Sequence, residues 1–155
     1  MATEIERKFL VRDDSWREQA QPGVRLMQGY LASTPSVTVR ARLKGEQGVL
    51  TIKGATRGIS RSEYEYLIPA EDAKAMLSEL AETAIIDKTR YLVPCGAHTW
   101  ELDLFAGDNA GLVLAEVELS AEDEAFERPN WLGDEVSDDP RYYNANLARH
   151  PFRSW

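Results

Sequence analysis

Residues 3–11, Thr-Glu-Ile-Glu-Arg-Lys-Phe-Leu-Val, place Glu4, Glu6 and Lys8 two apart. Side chains alternate across a strand, so these three share one face and Ile5, Arg7 and Phe9 the other. The pattern recurs along the chain. Thr38, Arg40, Arg42 and Lys44 alternate with Val39, Ala41 and Leu43, while Lys53 follows Thr51 opposite Leu50 and Ile52. Arg61, Glu63 and Glu65 oppose Tyr64, Tyr66 and Ile68; then come Lys88 with Arg90, Glu101 with Asp103, and Glu116 with Glu118. Like charges two apart repel, and a surface selected only for solubility mixes its signs. Clusters of one sign make sense when a ligand of the other sign binds between them. Carboxylates suit hard Mg²⁺ or Mn²⁺, and Arg and Lys suit phosphate oxygens, which guanidinium groups grip in pairs. Both together suit a metal–polyphosphate complex.

The elements that must position these groups are mostly strands. Period-two alternation, broken at Gly, Pro and polar clusters, predicts eight of them: 4–11, 26–33, 36–44, 49–54, 60–68, 86–93, 98–105 and 112–119. Linkers such as Lys-Gly-Glu-Gln-Gly and Pro-Cys-Gly-Ala supply the glycines of tight reversals, so neighbours should run antiparallel. Residues 69–82 predict a helix, with Pro at its start, acids in its first turn and Ala73, Met76, Leu77 and Leu80 on one stripe. Shorter helices are expected at 14–19 and 121–126. A further one follows Ser137, where Asp precedes Pro140 at a first helical turn. The fold class expected is mainly β, an eight-stranded antiparallel closed barrel with a few flanking helices, because closure removes exposed edges.

Alternation alone does not say which face is inside. An antiparallel sheet with one wet face would show the same pattern, and a lipocalin-like carrier would share the barrel but need an apolar lumen. The like-charge pairs favour a charged lumen, which an eight-stranded barrel can make just wide enough for one small ligand. On their apolar faces Tyr64, Tyr66, Tyr91 and Trp100 read as packing between barrel and helix. His98 and His150 are isolated, and Lys44 and Arg61 lie near strand ends, where rim charges are common.

Bulk properties narrow the classes. A chain of 155 residues suits one domain, 1–155. With 26 acidic and 18 basic residues, a net charge of −8 works against nonspecific binding to nucleic acid or anionic lipid. Any phosphate site must be local and concentrated. Cys95 is the only cysteine, which excludes an intrachain disulfide and a thiolate-rich zinc site and suits a reducing cytoplasm. No apolar run is long enough to span a membrane.

The segments Glu-Ile-Glu-Arg-Lys-Phe-Leu-Val, Val-Arg-Ala-Arg-Leu-Lys, Leu-Thr-Ile-Lys-Gly, Glu-Tyr-Glu-Tyr, Lys-Thr-Arg-Tyr-Leu-Val, Trp-Glu-Leu-Asp-Leu-Phe-Ala-Gly and Leu-Ala-Glu-Val-Glu-Leu-Ser occur in that order. Together they resemble a CYTH-domain protein of the triphosphate tunnel metalloenzyme superfamily, over essentially the whole chain. The opening Glu-x-Glu-x-Lys is the signature. Residues 7–11, 28–31 and 138–148 resemble the short bacterial branch.

The resemblance implies a charged tunnel that hydrolyses a triphosphate with Mg²⁺ or Mn²⁺. It implies that Glu4, Glu6, Glu116 and Glu118 hold metal, and that Lys8, Arg40, Arg42, Lys53, Lys88 and Arg90 hold phosphates. Glu63 and Glu65 match further family acids, and Asp103 belongs with these supporting carboxylates. For water activation two sources are open, a second metal ion that lowers the pKa of bound water or a lysine made less basic by nearby cations; Lys53, expected among the arginines, is the candidate for the second, and Tyr30, on a face with Gln28, could orient the water. Inorganic triphosphate is the first expected substrate, giving pyrophosphate and phosphate. An organic triphosphate enzyme, either a thiamine triphosphatase or a class IV adenylate cyclase, is the second, and a non-enzymatic polyphosphate-binding module the third. The oligomeric state is open, as is whether the C-terminal residues close a tunnel mouth. If the charged faces line a lumen, Arg40→Ala and Glu116→Gln should each weaken triphosphate or metal binding in calorimetry; solvent-facing charges would leave both unchanged.

Overall fold

The structure, a computed structural model, describes residues 3–155. The alternating segments form β1 (Thr3–Val11), β2 (Val24–Ser33), β3 (Val37–Lys44), β4 (Gln47–Gly54), β5 (Ser60–Ile68), β6 (Ile86–Cys95), β7 (His98–Phe105) and β8 (Val113–Glu118). They pair in the order β5-β4-β3-β2-β6-β7-β8-β1, and β1 returns to β5 to close an antiparallel barrel. Gly45 and Gly96 adopt positive φ in the β3–β4 and β6–β7 reversals, a left-handed conformation that a Cβ would oppose.

The closure is short. Only Thr3, Glu4 and Ile5 of β1 pair with β5, opposite Ser62, Arg61 and Ser60. The far half of β1 instead pairs with a ninth strand, β9 (Leu132–Glu135), with a register shift between Phe9 and Val11. The alternation pattern did not anticipate β9, whose four residues, Leu-Gly-Asp-Glu, show no clear period.

Two apolar cores hold the barrel. Outside it, Phe9, Trp16, Val93, Trp100, Leu102, Ala115, Val117 and Trp131 pack into one cluster. Trp100 is fully buried and meets Phe9, Phe126 and Trp131 edge to face, at centroid distances of 5.5, 5.7 and 5.7 Å. Trp16 comes from a one-turn 3-10 helix, Ser15–Glu18, and packs on Tyr91. Residues 121–126 do not form the expected helix but a turn leading into extended chain. The Glu124 carboxylate accepts from the Ser120 backbone N–H, and Phe126 is drawn into the aromatic cluster.

Helix α1 (Ala70–Glu79) packs across the outer faces of β2, β3 and β4. Gly29 and Gly48 permit its close approach: a Cβ on Gly29 would meet Leu77 at 3.0 Å, and one on Gly48 would meet Ala73 at 3.1 Å. The helix lies mainly on β4 and β3, with less contact to β2. Tyr64 and Tyr66 are therefore 46% and 55% exposed, which corrects their assignment to barrel–helix packing.

The second core fills one end of the barrel, where Tyr30, Ile86, Phe105, Leu112 and Leu114 receive Tyr142, Leu147 and Ala148 from the C-terminal segment. That segment is a 3-10 turn at Pro140–Tyr142 followed by α2 (Asn144–Leu147). Asp139 caps the turn, accepting from the Arg141 backbone N–H. The question of where the C-terminal residues pack is thus settled: they cap this end. Among the described residues no helix is long and apolar enough to cross a membrane. Trp100→Ala removes the centre of the aromatic cluster and should cost about 3–5 kcal/mol, read from the shift in urea midpoint.

Candidate active site in a charged tunnel

The charged faces point inward. Glu4, Lys8, Arg40, Arg42, Lys53, Lys88, Asp103 and Glu116 are all buried, and a cavity of about 670 Å³ runs through the lumen they line. Strand pairing brings distant charges level: Lys8 faces Glu116, Glu6 faces Glu118, Arg90 faces Asp103, and Lys53 faces Glu63. The solvated-face and apolar-carrier readings are both excluded by this burial.

Asp103 lies between two cations, 2.8 Å from Lys88 Nζ and accepting two hydrogen bonds from Arg90 at 2.8 and 2.9 Å. Lys88 and Asp103 side chains are each 1% exposed. Arg90 also reaches Glu101 at 3.0 Å and Glu116 at 3.6 Å. Burial lowers the Lys88 ammonium to about 7, against the pull of Asp103. Burial also lowers Arg42, to about 9, with help from the like charges of Arg40 and Arg90. Four basic groups, Arg40, Arg42, Lys88 and Arg90, are thus held close together and largely buried. Arg40 Nε is buried with no hydrogen-bond partner among the described residues. Such a donor set is complementary to an anion.

The opposite wall holds the acids. Burial, then Glu116 and Glu4, drive the Glu6 carboxyl well above the usual range. Burial would also raise Glu116, but Lys8, Arg90 and a hydrogen bond from Glu6 hold it well below. The two carboxyls share that hydrogen bond. Burial and a hydrogen bond to Glu4 push Glu63 up to about 7.

The four acids expected to hold metal do not converge. Glu6 and Glu116 meet, whereas Glu4 is held by Lys53 and Arg61, each at 3.2 Å, and Glu118 is exposed. Among the described residues no three acids, histidines or cysteines gather to hold an ion. The Glu6–Glu116 pair still fits one, because a cation can replace the proton that the two buried carboxyls share, and Mg²⁺ commonly takes one or two carboxylates with substrate oxygens and water. Lys53 also needs correction. Its Nζ lies 3.2 Å from Glu4 and 3.3 Å from Glu63, so carboxylates flank it rather than the expected arginines.

Of the remaining candidates, Tyr30 is buried with its hydroxyl 3.5 Å from Gln28 Nε2, and Glu65 lies 3.9 Å from Arg40. Lys44 is exposed, a rim charge, and Arg61 reaches inward to Glu4. Two lumen groups had no charge to mark them. Gln28 is fully buried and accepts from Arg42 Nε at 2.8 Å, and Asn144 Oδ1 accepts from Lys88 Nζ at 3.0 Å. Gln28 was visible on the Tyr30 face; Asn144 had no signal.

The sequence profile of the CYTH domain matches residues 2–145. The chain belongs to the CYTH family. An inorganic triphosphatase of Acetivibrio thermocellus is 44% identical over 155 residues, covering 100% of this chain and 99% of the relative. One of Nitrosomonas europaea is 42% identical over 151 residues, covering 94% and 97%. A crystal structure of an inorganic triphosphatase superposes with a TM-score of 0.66 at 40% identity, covering 96% of this chain and 95% of that one. A Pyrococcus horikoshii protein, 17% identical with a TM-score of 0.60 over 77% of this chain and 80% of its own, shares the fold. The CYTH barrel expected from the sequence is therefore the barrel found.

Asp103 gives the site a pH signature. Burial would raise its carboxyl, but Arg90 and Lys88 outweigh burial and hold it at about 2, below the ordinary 3.8. Its stabilisation is then present above the ordinary value and lost as pH falls through the depressed one. Asp103→Asn should cost about 3–5 kcal/mol near neutrality, by leaving two buried cations without their partner. Urea unfolding of both proteins should show that gap narrowing as pH drops from about 4 towards 2.

Proposed function

We propose that this CYTH protein hydrolyses inorganic triphosphate to pyrophosphate and phosphate, with Mg²⁺ or Mn²⁺ as cofactor. The observation that carries the reading is the buried arginine pair: among the described residues Arg40 Nε has no hydrogen-bond partner, and Arg42 is fixed by Gln28 from one side. Both face a lumen whose other wall carries the Glu6–Glu116 pair. The two curated relatives, inorganic triphosphatases that align over nearly their whole length, support the same substrate. Lone Cys95 suits a reducing compartment such as the cytoplasm.

Phosphoryl transfer needs position and charge neutralisation more than covalent help. Arg40, Arg42, Lys88 and Arg90 bind phosphate oxygens, and Lys8 and Lys53 extend this set along the lumen. Glu6 and Glu116 would hold the cation, with Glu4 and Glu118 as further acids of the same two strands. When bound, the divalent ion neutralises phosphate charge. Burial of these groups strengthens each of these contacts relative to the same contacts in bulk water.

Attack by water on the terminal phosphorus requires a proton acceptor. Glu63, near 7 and 3.3 Å from Lys53, is poised to take that proton, with Lys53 holding its carboxylate. Tyr30 orients the water. Its hydroxyl is tethered to Gln28, and its ring is fixed in the apolar end.

Phosphate release should be strong from inorganic triphosphate, weak from thiamine triphosphate, ATP and pyrophosphate, and abolished by chelator. Glu116→Gln should lose about 100-fold or more in turnover. Turnover confined to an organic substrate would replace the reading. Tight triphosphate binding without any turnover would leave a binding module. Tyr30→Phe should lose turnover while keeping substrate affinity, Lys53→Ala should lose turnover by more than it loses affinity, and near-normal turnover in both would end their assigned roles.

A further inference from the structure

Three of the six proposed phosphate-binding cations are tied to the C-terminal segment. Lys8 Nζ donates to the Tyr142 carbonyl at 3.2 Å and lies 5.6 Å over the Tyr143 ring. Lys88 Nζ donates to Asn144 Oδ1 at 3.0 Å. Arg42 is reached through one intermediary: its Nε donates to Gln28 Oε1 at 2.8 Å, and Gln28 Nε2 lies 3.4 Å from the same Asn144 oxygen. The segment is itself locked to β1, since Ser137 Oγ accepts from the Lys8 backbone N–H and the Lys8 carbonyl accepts from Val136.

We propose that Asn144 is a positioning residue for triphosphate hydrolysis, its one side-chain oxygen orienting Lys88 directly and Arg42 through Gln28. The inference rests on the triphosphatase reading above. Its physical basis is the mismatch between what Lys88 needs and what the barrel supplies. A buried ammonium has three donors to satisfy. Asp103, on the neighbouring strand, satisfies one from the wall. Without a second acceptor the amine could turn onto Asp103 and Arg90's other acids and away from the substrate. Asn144 supplies that acceptor from the capped end, outside the barrel wall. Being neutral, it takes the hydrogen bond without cancelling the positive charge that a polyanion requires. The same oxygen holds the Gln28 amide in the orientation that leaves Oε1 free for Arg42. A single uncharged group thus sets the directions of two cations from strands β3 and β6, which share no direct contact through the barrel wall.

The test compares Asn144→Ala, Asn144→Asp and Leu147→Ala by steady-state hydrolysis of inorganic triphosphate and by thermal melting. Leu147, on the same short helix, is fully buried in the apolar cluster at the capped end and carries no polar group that could orient a cation. Asn144→Ala should lose about 10- to 100-fold in kcat, the cost of misplaced groups, with little change in Tm. Asn144→Asp keeps the acceptor but adds a negative charge. It should retain most of kcat and raise KM. Leu147→Ala should lower Tm and keep kcat. A kcat for Asn144→Ala within twofold of the parent overturns the proposal, as does a loss that merely follows Tm across Asn144→Ala and Leu147→Ala. Those outcomes leave the parent's triphosphatase activity standing; a parent inert towards triphosphate fails the underlying reading and takes this inference with it.

Discussion

Asp103 sits where the demands of the molecule collide. Two cations, Lys88 and Arg90, are placed inside a protein where an unpaired charge would cost several kcal/mol, and one carboxylate reaches both. The arrangement leaves the set unbalanced on purpose. Asp103 is shared between two bases, while Arg42 bonds to neutral Gln28 and Arg40 to neutral Thr51, with Glu65 no nearer to Arg40 than 3.9 Å, so the wall keeps positive charge for a ligand. The rest of the architecture makes that excess tolerable. Because the lumen contributes almost no hydrophobic stabilisation in its charged middle, the apolar burial has to be found elsewhere. It lies outside the barrel around Trp100 and at the capped end around Leu147.

This division explains an odd feature of the composition. A barrel with an apolar interior can leave its outer face to water, but here the outer faces of β1, β7 and β8 must be covered by otherwise irregular chain. Residues 12–20 and 120–131 do this with Trp16, Phe126 and Trp131. Arg7 and Arg128 lie over the Phe126 ring at 4.9 and 5.2 Å, so even the outward charge of β1 serves as a lid on the aromatic layer.

Much of this was legible in the sequence because a strand has a period of two, and the charges kept it. The eight barrel strands and the inward set from Glu4 to Glu116 followed from that one regularity, sharpened by the recurrence of like charges, and the helix after Pro69 from its start signal and apolar stripe. What escaped obeyed other rules. Strand β9 exists because half of β1 has no partner on β5, a fact of register that no local pattern contains. The acidic stretch before Phe126 has helical composition, yet the pull of the Trp100 cluster on one ring decides its path. Tyr64 and Tyr66 were correctly placed on the outer face. Their exposure depends on where α1 lands, and that is set by Gly29 and Gly48 on other strands. Inside the tunnel, sign was readable and pairing was not. Lys53 meets Glu4 and Glu63 through barrel closure, and Asn144 carries no charge to betray a place beside Lys88.

The seam between β1 and β5 bears on how the chain reaches this state. Strand β1 emerges first from a ribosome, yet its partners are Ser60–Ser62, then Leu114–Glu118, then Leu132 and Glu135. Strands β2 to β5 can zip as hairpins while β1 waits with its acids in water. Its closing contacts span most of the chain, the kind of non-local pairing that slows folding. The delay has a chemical benefit. In that order Glu4, Glu6 and Lys8 would stay hydrated until their counter-charges stand on the other strands, so that none of them would have to be dehydrated alone.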